Sequence, residues 1–161
     1  MYTVAGLLDV HQRTHQSMRK LLDHVGTLPP EELTRAMEGF SYPTLASQLH
    51  HLIRAEYYWM GVMQGEPRYE HDAAEHETME ALRALYTRVY DDTHAFLSSF
   101  TDDGASALRT VTKYNGDQAE IVPALALLRT QMHAYQHHGE IATMLRQMGH
   151  TFPQMLDFPV V

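Results

Sequence analysis

Residues 123–149 read PALALLRTQMHAYQHHGEIATMLRQMG and carry the clearest structural pattern in the chain. Positions separated by steps of four and three lie on one face of an α-helix. Here that face holds Ala126, Thr130, His133, His137, Glu140, Met144 and Met148. Pro123 suits a first helical turn, and Gly149 suits the position after a helix end. The stretch predicts a long amphipathic helix with two histidines on its core-facing side.

Three earlier stretches show the same spacing. Their stripes are Val4, Leu8, His11, His15, Met18, Leu22 and Val25; then Leu45, Leu49, Leu52, Trp59 and Met63; then Met79, Leu82, Tyr86, Val89, Thr93, Phe96 and Phe100. Pro29-Pro30 and Gly65-Glu66-Pro67 separate them, and Ser41 or Thr44 would cap the second. Four amphipathic helices bury their stripes best against one another. The predicted fold class is therefore all-α, an antiparallel four-helix bundle.

The segments between these helices are less regular. Asn115-Gly116, between β-forming residues in 108–121, predicts a short β-hairpin before the last helix. Residues 30–37 predict a short extra helix, closed by Gly39. No repeat or low-complexity tract divides the chain, so we expect a single domain over residues 1–161.

The composition limits the function. The 161 residues include 12 histidines and no cysteine, and the formal net charge is −8. The lack of cysteine excludes disulfides and thiolate metal sites. The negative charge argues against nucleic acid or an anionic membrane as partner. No apolar run is long enough to span a bilayer, and the N-terminus does not resemble a signal peptide, so we expect a cytoplasmic protein.

His133 and His137 lie one helical turn apart and could share a metal ion with bonds of about 2.0–2.1 Å. An ordinary pair of buried, hydrogen-bonded histidines would show the same spacing, so the site needs a third ligand. On the second helix, His51 falls roughly 100° from Leu52, at the edge of the apolar face, while His50 falls roughly 160° away. We therefore predict a metal site of His51, His133 and His137, with His50 facing water.

Three neutral imidazoles leave coordination positions open, as in catalytic sites. Nitrogen ligands suit zinc, nickel, copper or iron. His133 or His137 would need a hydrogen-bond acceptor on its other ring nitrogen, and Glu140 would either tune the site or form a plain salt bridge. The sequence assigns no catalytic residue.

Other histidines allow more than one interpretation. His11 and His15 could bind a second metal or line the pocket, but we favour two hydrogen-bonded core histidines. Their polar or terminal contexts predict surface positions for His71, His76, His138 and His150. The chain has no His-Glu-x-x-His or Glu-x-x-His motif, which argues against a metalloprotease or a di-iron carboxylate bundle.

These motifs resemble those of the DinB/YfiT-like superfamily, a group described as metal-dependent enzymes. The resemblance is closest in residues 133–149 and 51–59, and it extends to Pro43-Thr44-Leu45, the hairpin and residues 152–157. The group usually has Arg and Gln where this chain has His138 and Glu140.

The resemblance implies a bundle with a long crossover connection and the same three metal ligands, His51, His133 and His137. It also implies zinc or nickel as the metal and a possible homodimer. Characterised relatives include transferases that use small thiols such as bacillithiol or mycothiol, although many members have no established activity. Our leading hypothesis is a metal-dependent thiol transferase acting on a small electrophile. The alternatives are a hydrolase whose metal activates water and a non-enzymatic metal-binding or stress protein.

Overall fold

The computed structural model describes residues 2–67, 73–152 and 156–160. Its helices are α1 (Val4–Val25), α2 (Pro30–Thr34), α3 (Leu45–Gln64), α4 (Met79–Ser98), α5 (Asp102–Ser106) and α6 (Pro123–Gln147). A 3₁₀ turn covers Ala73–His76, and the strands are β1 (Arg109–Thr112) and β2 (Gln118–Ile121). The predicted all-α bundle with a hairpin before its last helix is confirmed. Among the described residues, no helix is both long and apolar enough to cross a membrane.

The long helices α1, α3, α4 and α6 form the bundle. Both α1 and α3 pack against α4 and α6, so α1 and α3 lie across a diagonal. Helices α3 and α4 run in the same direction, because Arg88 lies over the ring of Tyr57 and Thr93 contacts Met60. Two neighbouring helices that run in the same direction require a crossover connection between them, as expected.

Helix α6 runs antiparallel to α3. Gln48, near the start of α3, hydrogen-bonds to His137, while Trp59, nearer its end, lies under Arg129. Helix α1 is in turn antiparallel to α4, since Asp23 near its end pairs with Arg83 near the start of α4. These pairings place the middle of α3 against the middle of α6, where the predicted histidines lie.

The first turn of α3 is fixed by a reciprocal cap. Thr44 Oγ1 accepts a hydrogen bond from the Ser47 amide at 3.0 Å, and Ser47 Oγ accepts one from the Thr44 amide at 3.0 Å. Of the two predicted caps, Thr44 is the one used. Such a box satisfies two amides that the helix itself leaves unpaired. Helix α3 ends at Gly65, whose φ of 80° is the left-handed conformation that glycine adopts easily.

Of the shorter elements, the hairpin agrees with the prediction and the extra helix is shorter than predicted. The hairpin pairs Arg109 with Ile121 in antiparallel register, and Gly116 takes a φ of 85° in its turn, as Asn115-Gly116 predicted. The extra helix ends at Thr34 rather than near Met37, because Arg35 is extended and the Met37 amide donates to the Pro43 carbonyl at 2.7 Å.

The main core lies between the four long helices. Its fully buried members include Leu21, Leu22, Leu45, Leu49, Leu82, Ile141, Met144 and Leu145. A smaller apolar cluster at the other end contains Leu7, Leu97, Ala105, Ala124 and Leu127. The C-terminal segment packs along α1, where Ser17 Oγ donates to the Asp157 carbonyl at 3.1 Å.

We expect Leu145→Ala to lower the free energy of unfolding by about 2–5 kcal/mol, because it leaves a cavity in a packed core. Met132→Ala on the same helix is the matched control. Met132 is 73% exposed, so its loss should change stability by less than about 0.5 kcal/mol. Urea unfolding measures both, and equal effects would contradict the observed packing of α6.

Candidate metal centre

Three imidazole nitrogens converge between α3 and α6. His51 Nε2 lies 3.3 Å from His133 Nε2, and His137 Nε2 lies 3.0 Å from His133 Nε2. The three ligand atoms all lie within 4.8 Å of one another. The structure thus brings together the three histidines that the sequence singled out.

This donor set fits a divalent metal ion. Bonds of about 2.0–2.1 Å at tetrahedral angles separate neighbouring ligand atoms by roughly 3.3–3.4 Å, close to the spacing here. His51, His133 and His137 would hold such an ion through Nε2. That these residues bind metal in solution stays a prediction.

Gln48 orients one of the ligands. The Nδ1 of His137 donates a hydrogen bond to Gln48 Oε1 at 2.7 Å, within a fully buried contact. Because Nδ1 then carries the proton, the neutral ring presents the Nε2 lone pair to the centre. The sequence analysis did not identify Gln48, although it lies three residues before His51 and so shares its face of α3.

Glu140 lies beside the same ring nitrogen. Its Oε2 atom is 2.9 Å from His137 Nδ1, an ion-pair distance. That oxygen is buried, yet it makes no hydrogen bond to any described residue. Although it is close to Nδ1, the angle at the ring N–H is therefore unsuitable for a hydrogen bond. Gln48 is therefore the acceptor, and Glu140 adds negative charge next to His137.

Burial favours the neutral form of the remaining two ligands. Burial lowers the pKa of His51 to about 4, with His137 and His133 adding to the effect, and burial also lowers the pKa of His133. Neutral imidazoles are the form that binds metals. The ring of Tyr42 stacks on His51 at 3.9 Å between centroids, which fixes the plane of the imidazole.

A cavity of about 300 Å³ opens onto the edge of this centre. It is lined by Tyr42, His51, Arg54, Ala55, Tyr58, Trp59, Tyr114, Arg129, Thr130 and His133. Arg129 lies 5.0 Å from the Trp59 ring centre, and Tyr114 of the hairpin turn contacts Tyr58 with its ring. The cavity is large enough for a small organic molecule that reaches two of the three histidines.

A second polar cluster lies inside the bundle. His11 and His15 are buried, as the favoured interpretation expected, and both contact the Glu56 carboxylate at 3.0 Å. Burial alone would raise the pKa of Glu56, but His15 and His11 hold it well below its usual value. The sequence analysis did not identify Glu56, because it ranked α3 positions by one apolar stripe.

Two of the surface predictions were wrong. His50 was expected to face water but is only 3% exposed, and its ring stacks on that of His76 at 4.9 Å. His138 was also expected at the surface but is only 1% exposed. The burial of His138, together with His15 and His137, lowers its pKa to about 4. His76 and His150 are partly buried, and His71 lies outside the described residues.

Comparison with known proteins agrees with this architecture. The model of the DinB family matches residues 1–160. The chain belongs to the DinB family. The crystal structure of a DinB-like protein from Bacillus cereus ATCC 10987 superposes with a TM-score of 0.76 at 21% sequence identity, covering 96% of this chain and 99% of that one. At this identity the likeness shows the fold alone. A search of curated proteins found no match.

We expect His51→Ala, His133→Ala and His137→Ala each to lower the affinity of this DinB-family protein for zinc or nickel more than about 100-fold. Losing a residue that only hydrogen-bonds to a ligand already costs about 10–100-fold in affinity, and losing the ligand itself costs more. His50→Ala is the control and should leave the affinity unchanged. Equilibrium dialysis with elemental analysis measures both, with circular dichroism to verify folding. Loss of metal from His50→Ala but not from His51→Ala would refute the assignment.

We expect Gln48→Leu to lower the metal affinity by about 10–100-fold, because the His137 ring loses the acceptor that fixes its tautomer. Gln147→Leu, an exposed position on α6, should have no effect. Competition with a chromophoric chelator measures the affinity. An unchanged value for Gln48→Leu would show that the hydrogen bond does not support the centre.

Proposed function

We propose that this DinB-family protein is a metal-dependent transferase that joins a small thiol to an electrophile. The observation that carries the proposal is the position of the three-histidine centre on the wall of the 300 Å³ cavity. Three protein ligands with free positions facing a pocket are typical of catalytic metal sites rather than closed structural ones. Zinc or nickel is the metal we propose.

Three arguments support a thiol as the first substrate. The motifs resemble those of a group whose characterised members include transferases of low-molecular-weight thiols. The chain itself has no cysteine, so the sulfur nucleophile of such a reaction must come from the co-substrate. A thiolate is also a ligand that zinc and nickel accept readily.

A metal ion bound by the three histidines would supply a Lewis acid that lowers the pKa of the thiol. The transfer forms a bond between sulfur and the electrophilic carbon, expels the leaving group with its electron pair, and releases the thiol proton to solvent. Tyr42 and Gln48 keep the imidazoles oriented throughout, because stacking holds the His51 ring and a hydrogen bond holds the His137 ring.

The cavity wall favours a thiol that carries a carboxylate. Arg54 and Arg129, two positively charged residues, line the pocket in a chain whose formal net charge is −8. Guanidinium groups bind carboxylates with paired hydrogen bonds. Trp59 and Tyr58 offer flat apolar surfaces for the rest of the molecule.

We also propose a cytoplasmic location, which follows from the sequence, and a homodimer, which follows from the resemblance.

A metal-dependent hydrolase and a non-catalytic metal-binding protein are the competing functions, and the assay below separates all three.

We expect the cobalt-substituted protein to change its visible spectrum when a suitable thiol is added, because sulfur enters the metal coordination. It should also accelerate conjugation of that thiol to a model electrophile, and the acceleration should require His137. The panel contains bacillithiol, mycothiol, glutathione and cysteine. The matched thiols 3-mercaptopropionate and cysteamine test the charge preference, with the anionic thiol favoured.

Arg129→Gln should remove the preference for 3-mercaptopropionate, while Arg146→Gln, exposed on the same helix, should keep it. If no thiol shifts the spectrum or reacts faster, the transferase proposal is wrong. Hydrolysis of esters or amides without thiol would then support a hydrolase. A spectral shift without turnover would support a binding protein.

A further inference from the structure

The interior cluster of His11, His15 and Glu56 has the composition of a second metal site. His11 Nε2 lies 3.0 Å from Glu56 Oε1, and His15 Nε2 lies 3.0 Å from Glu56 Oε2. One ligand atom from each residue falls within 4.8 Å of the others. The three residues are 0%, 6% and 8% exposed, respectively, so the carboxylate is well removed from solvent.

A buried carboxylate requires positive charge close to it. Glu56 forms its ion pairs with the two imidazoles. The nearby guanidinium of Arg19 donates to the Tyr86 hydroxyl at 3.2 Å rather than to the carboxylate. A cation held between Glu56 and the two rings would supply the charge directly.

The hydrogen bonds of His15 fit the role of a metal ligand. Its Nδ1 lies 3.3 Å from the Tyr86 hydroxyl, and that hydroxyl donates to the His15 carbonyl at 3.4 Å. With its Nδ1 donating to that hydroxyl, a neutral His15 ring would present the Nε2 lone pair to the carboxylate side, which is the arrangement that a metal ligand needs.

Two unpartnered oxygens border the same place. Gln131 donates only weakly to Glu56 Oε2, at 3.5 Å, and its Oε1 atom makes no hydrogen bond within the described part of the chain. A flip of the Gln131 amide would exchange its nitrogen and oxygen and turn the oxygen toward the carboxylate. A cation bound between the two oxygens would favour that orientation. Thr14, whose Oγ1 likewise has no partner among the described residues, lines a cavity of about 10 Å³ together with His15 and Glu56. That volume is close to the size of one water molecule.

We propose that His11, His15 and Glu56 bind a second divalent metal ion, separate from the one at His51, His133 and His137. Two imidazole nitrogens and one carboxylate suit zinc or ferrous iron. The adjoining cavity is too small for an organic substrate, so this ion stabilises the fold by linking α1 to α3 across the bundle diagonal. The inference does not depend on the transferase proposal.

Metal stoichiometry tests this site directly. The double variant His133→Ala/His137→Ala removes the first centre, and the protein is refolded with zinc or cobalt because the second site is buried. We expect two zinc ions per wild-type chain, one per double-variant chain, and none when Glu56→Gln is added. Glu120→Gln, an exposed carboxylate on β2, is the matched control and should keep the one ion.

Stability and spectroscopy give independent readouts. Zinc should raise the Tm of the double variant, and cobalt should give it a visible absorption spectrum even though the first centre has been removed. If the double variant with Glu56→Gln does not fold, His11→Gln takes the place of Glu56→Gln in the same background. The cobalt spectrum of the double variant itself then provides a second test. If the folded double variant binds neither zinc, cobalt nor ferrous iron, the cluster is a hydrogen-bonded network and the proposal is wrong.

Discussion

The antiparallel packing of α3 against α6 is the constraint on which the candidate metal centre depends. It sets Gln48 and His51 of one helix opposite His137 and His133 of the other. A shift of either helix by one residue rotates its side chains by about 100° and would separate the three Nε2 atoms. The Thr44–Ser47 cap and the apolar contacts of the core fix that register. The chemistry of the centre is therefore a property of the bundle packing as much as of the histidines.

The interior of this bundle contains many buried polar side chains. Buried side chains there include His11, His15, Gln48, Glu56, Gln131, His137 and His138. Buried polar groups persist where hydrogen bonds or bound ions satisfy them. Apolar core residues such as Leu52, Ile53 and Ala134 lie between these polar side chains along the same helices. The bundle therefore holds two groups of converging metal-ligand atoms within its packed core.

Helix periodicity was enough to predict the long helices and the convergence of His51, His133 and His137, and the Asn115-Gly116 turn predicted the hairpin, because these follow from positions along single elements. Helix periodicity did not predict burial at positions that lie off the apolar stripe and are covered by a second helix or by a connecting segment. His138 lies off the predicted stripe of α6, yet α6 contacts α1 as well as α3, and so it buries more than one face. His50 lies off the stripe of α3, and the crossover connection supplies the ring of His76 that covers it. Glu56 and Gln48 were missed because a one-stripe analysis treats polar residues as solvent-facing.

The order of the helices along the chain has a consequence for biosynthesis. The contacts between α3 and α6 that build the metal centre join residues 82 to 89 positions apart, and the C-terminal segment contacts α1 across up to 146 positions. Contacts between residues so distant in sequence form late and slow the folding reaction. Two of the three converging nitrogens belong to α6, which follows α1, α3 and α4 in the chain and is therefore translated after them. The nascent chain has no complete three-histidine centre until α6 has packed against α3, so metal binding at this centre requires that late contact.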